Sequence, residues 1–120
     1  MPSRDPIHRF EDILHNIALI EEFTAGMDQA AFTQDAKTAN AAERCLERIS
    51  EAARKLGDLA GNLCPEIPWP SVRALGNLLR HEYDTVDLAR VWLTIEDDLP
   101  PLKAAVQMAL KRLSPRSDEP

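Results

Sequence analysis

Arg73, Asn77, Arg80 and His81 stand at i, i+4, i+7 and i+8, so on a helix all four project from one face within about two turns. Just beyond them, His81-Glu82-Tyr83-Asp84 places a phenol near the imidazole. These residue types suit proton transfer at a bound anion. An imidazole with an ordinary pKa of about 6.5 gives and takes protons near neutral pH. A guanidinium fork holds an oxyanion and stabilises charge that grows on it, and an amide can orient either partner. The same residues also have plainer uses. His81 can satisfy free carbonyls at a helix C-terminus, Arg73 and Arg80 can pair with Glu82 and Asp84 on a solvated face, and Tyr83 can sit on an amphipathic rim. Asn77 fits the plain use least, because asparagine inside a short helix costs propensity and competes with the backbone.

The stripe exists only if residues 70 to about 82 are helical, and the pattern around them predicts this. Pro65, Pro68 and Pro70 forbid regular helix over Cys64-Pro65-Glu66-Ile67-Pro68-Trp69-Pro70, since each proline fixes its own φ and disfavours helix in the residue before it. The segment reads as an ordered connector pinned by Trp69. Pro70 then serves as an early helical residue with Ser71 in the first turn, and Val72, Leu75 and Leu79 seat the helix in the core.

The remaining elements read as helices too. Ile7, Phe10, Ile13, Leu14, Ile17 and Ile20 recur at three- and four-residue steps, the signature of a buried helical face, and Thr24 to Gly26 end that segment. A short turn over 28–33 carries Phe32. A long helix is expected from about Gln34 to about Leu59, with Ala42, Cys45, Leu46, Ile49, Ala53 and Leu56 as its apolar stripe and Gly61-Asn62 closing it. Asp87 caps a helix that places Leu88, Val91, Trp92, Ile95 and Leu99 on one face. Pro100-Pro101 kink or restart it before Leu102, Val106, Leu110 and Leu113. Residues 1–113 form one helical domain in this reading, with 114–120 as a disordered tail.

Composition agrees. The chain has 120 residues, enough for one core of ordinary size. Sixteen Ala and fifteen Leu against four Val favour helix over strand, so the expected fold is all-α, a bundle of four to five antiparallel helices. A net charge of -6 opposes non-specific attraction to phosphate backbones or anionic lipid. The N-terminus opens no signal-like apolar region and no run approaches a membrane span, which leads us to expect a cytoplasmic protein. Cys45 and Cys64 form no CxxC pair or Cys/His cluster and read as packing thiols. His8 and His15 receive no role, and no Gly-rich phosphate loop, cofactor motif or metal-ligand spacing is present.

The stretch from Arg73 through Asn77, Arg80, His81 and Tyr83 to Asp87, followed by Val91-Trp92 and Leu99-Pro100, resembles the HepT-like ribonuclease toxins of the HEPN superfamily. The resemblance covers nearly the whole chain. The Asp12-Ile13-Leu14 start, the Phe32 to Asp35 turn, the Ala-rich second helix, the Ile67-Pro68-Trp69 connector and the Leu99-Pro100 break fall in the family's order. The family's motif is an arginine, a short polar spacer and a histidine, most often with asparagine directly after the arginine and tyrosine two positions after the histidine. Asn77, His81 and Tyr83 match it. Gly76 stands where the arginine is expected. Arg73, one turn before Asn77 on the same face, and Arg80, directly before His81, are the candidates to replace it.

The resemblance implies metal-independent RNA cleavage with the 2′-hydroxyl as internal nucleophile, His81 as general base or acid, an arginine on the scissile phosphate and Asn77 positioning the phosphate or the imidazole. It implies a homodimer that juxtaposes two copies of the stripe. This would offset the local balance in which Arg73, Arg80 and Arg90 face Glu82, Asp84 and Asp87. It also implies a partner, an MntA-like nucleotidyltransferase antitoxin that adenylylates Tyr83 and so places charge and bulk beside His81. Gly76 sustains a second expectation: a non-catalytic helical binding partner of such a nucleotidyltransferase, its cleavage lost with the missing arginine.

Overall fold

Asp5 starts the first helix by accepting a hydrogen bond from the His8 N–H at 3.1 Å, with Pro6 at the first helical position, where a missing N–H costs nothing. In the computed structural model, which describes residues 5–75 and 87–113, this helix is α1 (Pro6–Phe23). Thr24 closes it, its N–H and hydroxyl both bonded to Ile20 O, and Gly26 turns the chain at φ +78°. The short helix α2 (Gln29–Gln34) follows, capped by Asp28. Asp35 caps α3 (Ala36–Leu56) by accepting from both the N–H and the hydroxyl of Thr38. These two bonds hold its carboxyl below the usual range.

Most residues of the apolar stripes expected from sequence form the core, while Ile7 and Leu14 of the α1 stripe are only half-buried. Phe10, Ile13, Ile17 and Ile20 of α1 and Ala42, Cys45, Leu46, Ile49, Ala53 and Leu56 of α3 are all buried, and the two helices pack along each other. Phe32 of α2 meets Trp92 with ring centroids 5.3 Å apart.

The long second helix stops earlier than expected, at Leu56 rather than about Leu59. Gly57 adopts φ +60°, ψ -141°, a conformation open to glycine and strained for other residues, and this breaks the helix. The chain restarts as α4 (Asp58–Leu63), so Gly61 and Asn62, expected as the terminator, lie inside a helix. The connector then leads to α5 (Trp69–Arg73), which packs on α3. The helix expected over 70 to about 82 is therefore described only as this five-residue element, with Ala74 as its cap and Leu75 beyond it.

After Asp87, which accepts from the Arg90 N–H at 3.2 Å, α6 (Leu88–Leu93) runs through a π-helical turn, Thr94–Asp98, into α7 (Leu99–Leu113). The π turn explains how a helix passes Pro100-Pro101. A proline lacks its N–H and its ring strikes the carbonyl four residues back. In the wider turn the Leu99 N–H reaches Thr94 O, five residues back, shifting the register just before the prolines. Lys103 near the start of α7 pairs with Glu21 near the end of α1 at 3.1 Å, as expected of an antiparallel pair. Among the described residues all regular structure is helical, so the all-α fold stands, and no helix is long and apolar enough to cross a membrane. The expected tail, 114–120, lies outside the described residues.

Candidate functional site

Arg73 is the last residue of α5, and the elements that place it are short. Pro68 precedes the helix without a side-chain cap, and its carbonyl instead takes the Ser71 and Val72 N–H groups at 2.9 and 3.1 Å. Trp69 pins the connector as expected. It is buried, and its indole Nε1–H donates to Cys64 O at 2.9 Å. Trp69 and Val72 bury the apolar side of α5 while Arg73 is half-buried at its end.

The Arg73 carbonyl is gripped from α3. Ser50, with no exposed surface, donates its hydroxyl at 2.7 Å, and Arg54 Nη1 donates to the same oxygen at 3.4 Å. Arg54 is itself held through Nη2 by Glu51 at 2.7 Å. Beside this end of α5 lies a groove of about 670 Å³. Glu66 to Pro68, Ser71, Val72, Ala74 and Leu75, and Arg90, Thr94, Asp98 and Leu99 are among the residues that line it. The groove is mostly apolar with a few polar groups among its lining residues. Arg90 brings a guanidinium to it.

The two thiols are not poised for chemistry. Burial pushes both Cys45 and Cys64 up from the ordinary thiol range, and the Cys64 thiol donates to Ala105 O at 3.4 Å. Both are buried and unbridged, as packing thiols should be. His8 lies 3.8 Å from Asp12 on the exposed side of α1. Among the described residues no three His, Cys, Asp or Glu side chains gather as metal ligands do.

Of the residues predicted to act, Arg73 is held by its backbone at the end of α5 and is not among the residues that line the groove, whereas Asn77, Arg80, His81 and Tyr83, with Gly76, lie outside the described residues. Sequence reasoning missed Ser50 and Arg54. A signal for Ser50 was present. It follows Ile49 and lies four residues after Leu46, inside the buried stripe, and a hydroxyl on a buried face requires a partner. Thr94, also buried, and Asp98 were missed as groove residues because a regular helix through 88–99 gave no reason to look at the π turn.

Comparison with known proteins covers most of the chain. Residues 13–109 match the HepT-like family model, described as "Ribonuclease HepT-like". The chain is 39% identical over 101 residues to "Probable ribonuclease HepT" of Thermococcus cleftensis, covering 84% of this chain and 92% of that one. It is 31% identical over 108 residues to "Putative RNase MJ1380" of Methanocaldococcus jannaschii, covering 90% and 99%. With "Putative RNase MJ0125" of the same organism it shares 33% identity over 113 residues, covering 94% and 97%. No solved structure matches the chain significantly. With a family model spanning most of the chain and relatives aligned nearly end to end, this chain belongs to the HepT-like ribonuclease family.

Proposed function

We propose that the protein is the ribonuclease toxin of a two-component toxin-antitoxin module and that it cleaves RNA without a metal ion. The observation that carries this reading is the family match over residues 13–109, which spans the Arg73 to Tyr83 stretch, with relatives named as ribonucleases. In the proposed mechanism His81 takes the proton of the RNA 2′-hydroxyl as that oxygen attacks the adjacent phosphorus. The 5′-oxygen of the next nucleotide leaves and takes a proton, and a 2′,3′-cyclic phosphate remains on the upstream fragment. Arg73 or Arg80 holds the phosphate and stabilises charge on its equatorial oxygens. Asn77 positions the phosphate or the imidazole. A homodimer brings two such stripes together and concentrates positive charge that the acidic total otherwise dilutes. An MntA-like nucleotidyltransferase antitoxin silences the site by attaching AMP to Tyr83.

One experiment tests the reading. Purified protein incubated with total RNA and EDTA should yield fragments ending in cyclic phosphate, and His81→Ala should abolish them while its melting curve stays that of the parent. Coexpression with the nucleotidyltransferase should add AMP at Tyr83 by mass spectrometry and suppress cleavage. Intact RNA with the folded parent protein in every condition would leave the non-catalytic binding partner that Gly76 suggests.

A further inference from the structure

Among the described residues four helix starts are capped locally, whereas two helix ends are held from far along the chain: α4 by Arg112 Nη1 on Leu63 O at 3.3 Å, and α5 at the candidate site. Asp5, Asp28, Asp35 and Asp87 each accept from an N–H three residues along their own helix. The hold on the end of α5 instead reaches across 23 positions of sequence, from Ser50 Oγ to Arg73 O. A five-residue helix has little stability of its own, and its last carbonyls have no partner within it. Where α5 ends, and so where the Arg73 backbone lies, therefore depends on α3, a 21-residue helix packed along α1.

Ser50 suits this role. Its hydroxyl is fully buried, so it touches no substrate, and its bond at 2.7 Å is shorter than that of Arg54 to the same carbonyl. Arg54, the second donor, is exposed, and Glu51 fixes its other nitrogen. A guanidinium that must meet a phosphate in one geometry is sensitive to small displacements of its backbone, since misplacement by about 1 Å can cost about a hundredfold in rate.

We propose that Ser50, assisted by Arg54, is a positioning residue that fixes the Arg73 backbone so that its guanidinium meets the RNA phosphate; the inference rests on the ribonuclease reading above and takes Arg73 as the phosphate ligand. In this role Ser50 acts through the Arg73 backbone, and this gives it a signature that a general structural role lacks.

The test is a double-mutant cycle of Ser50→Ala and Arg73→Ala, read as kcat/KM for RNA cleavage well below the melting transition of every variant. Ser50→Ala should lower kcat/KM about tenfold, Arg73→Ala at least as much, and the double variant no further than Arg73→Ala alone. Ser50→Cys, which keeps a donor of similar size, should recover part of the loss. Ile17→Val, a stability-matched change in the core of α1, should leave kcat/KM unchanged. Equal losses from Ser50→Ala with and without Arg73, or full activity in Ser50→Ala, would overturn the proposal, as would full activity in Arg73→Ala, which would leave cleavage to Arg80. Should Ser50→Ala not fold, Arg54→Gln replaces it in the cycle, with an expected loss of about threefold that vanishes in the Arg73→Ala background. A folded parent protein that leaves RNA intact counts against the nuclease reading itself, whereas an active parent with an additive cycle counts against the Ser50 assignment alone.

Discussion

The α1–α3 pair and the α5 region are built differently, and the difference divides what each contributes. Between α1 and α3, ten stripe residues from two helices of 18 and 21 residues are buried together. No single contact decides whether those helices form. In α5 only Trp69 and Val72 are buried, and placement rests on the indole bond to Cys64 O and the grip of Ser50 and Arg54 on Arg73 O. Apolar burial is non-directional and roughly proportional to area, so it holds a scaffold without fixing an end point. Hydrogen bonds are directional and fix one. Stability therefore resides mainly in the first region and site geometry in the second.

The largest effect tests the scaffold. Ile17, 1% exposed between α1 and its neighbours, should cost about 2–5 kcal/mol of unfolding free energy when replaced by alanine, from lost burial and the cavity left behind. Urea titration measures it. At temperatures where the variant remains folded, its RNA cleavage should match the parent. A loss below about 1 kcal/mol would mean that the α1–α3 core relaxes more freely than its burial implies.

Trp69→Phe reverses the emphasis. The substitution keeps an aromatic ring but removes the indole N–H bonded to Cys64 O. That oxygen still accepts from the Ile67 N–H at 3.2 Å, so it is not left bare. The expected cost is about 1–2 kcal/mol, a single buried hydrogen bond plus some lost volume. Cleavage should fall further than the unfolded fraction explains, because the connector no longer fixes where α5 begins. Activity that simply follows stability would erase the distinction between the two regions.

Much of this division was legible in the sequence. The three- and four-residue spacing of Phe10, Ile13, Ile17 and Ile20 and the stripe from Ala42 to Leu56 depend on side-chain type alone, and every one of those residues is buried. The break at Gly57 was not legible, because the stripe ends at Leu56 and leaves no apolar register to show where the helix stops; glycine at Gly57 and at Gly61 looks alike until φ is known. Pro100-Pro101 announced a disturbance but not its form as a π turn upstream, since the same prolines also fit a kink or a restart. At the site, Arg73 was singled out by its spacing from Asn77 and His81. Its support was hidden because Ser50 and Arg73 are distant in sequence and meet only after α3 and α5 have packed.

The smallest effect sharpens the picture of α3 as a scaffold tuned away from its optimum. Glu43 is half-buried on α3, where burial pushes its carboxyl up from the usual range and the like charge of Glu47, one turn on, adds to the shift. Because its pKa is raised in the folded state, the fold favours the protonated form. That contribution is fully present at pH values below the usual carboxylate range and is lost as pH rises through the raised value. At neutral pH the ionised Glu43 therefore opposes folding. Glu47 has an outlet in Arg44, 3.3 Å away. Replacing Glu43 with glutamine should add about 0.2–0.5 kcal/mol at pH 7, the scale of a like-charge helix pair reduced by solvent screening. The gain should shrink towards zero below about pH 4, where the parent carboxyl is itself neutral. Paired denaturation curves at the two pH values decide it: a gain that persists unchanged in acid would assign the effect to glutamine's helix propensity, and no gain at neutral pH would show that the carboxylate is better solvated than its burial on α3 indicates.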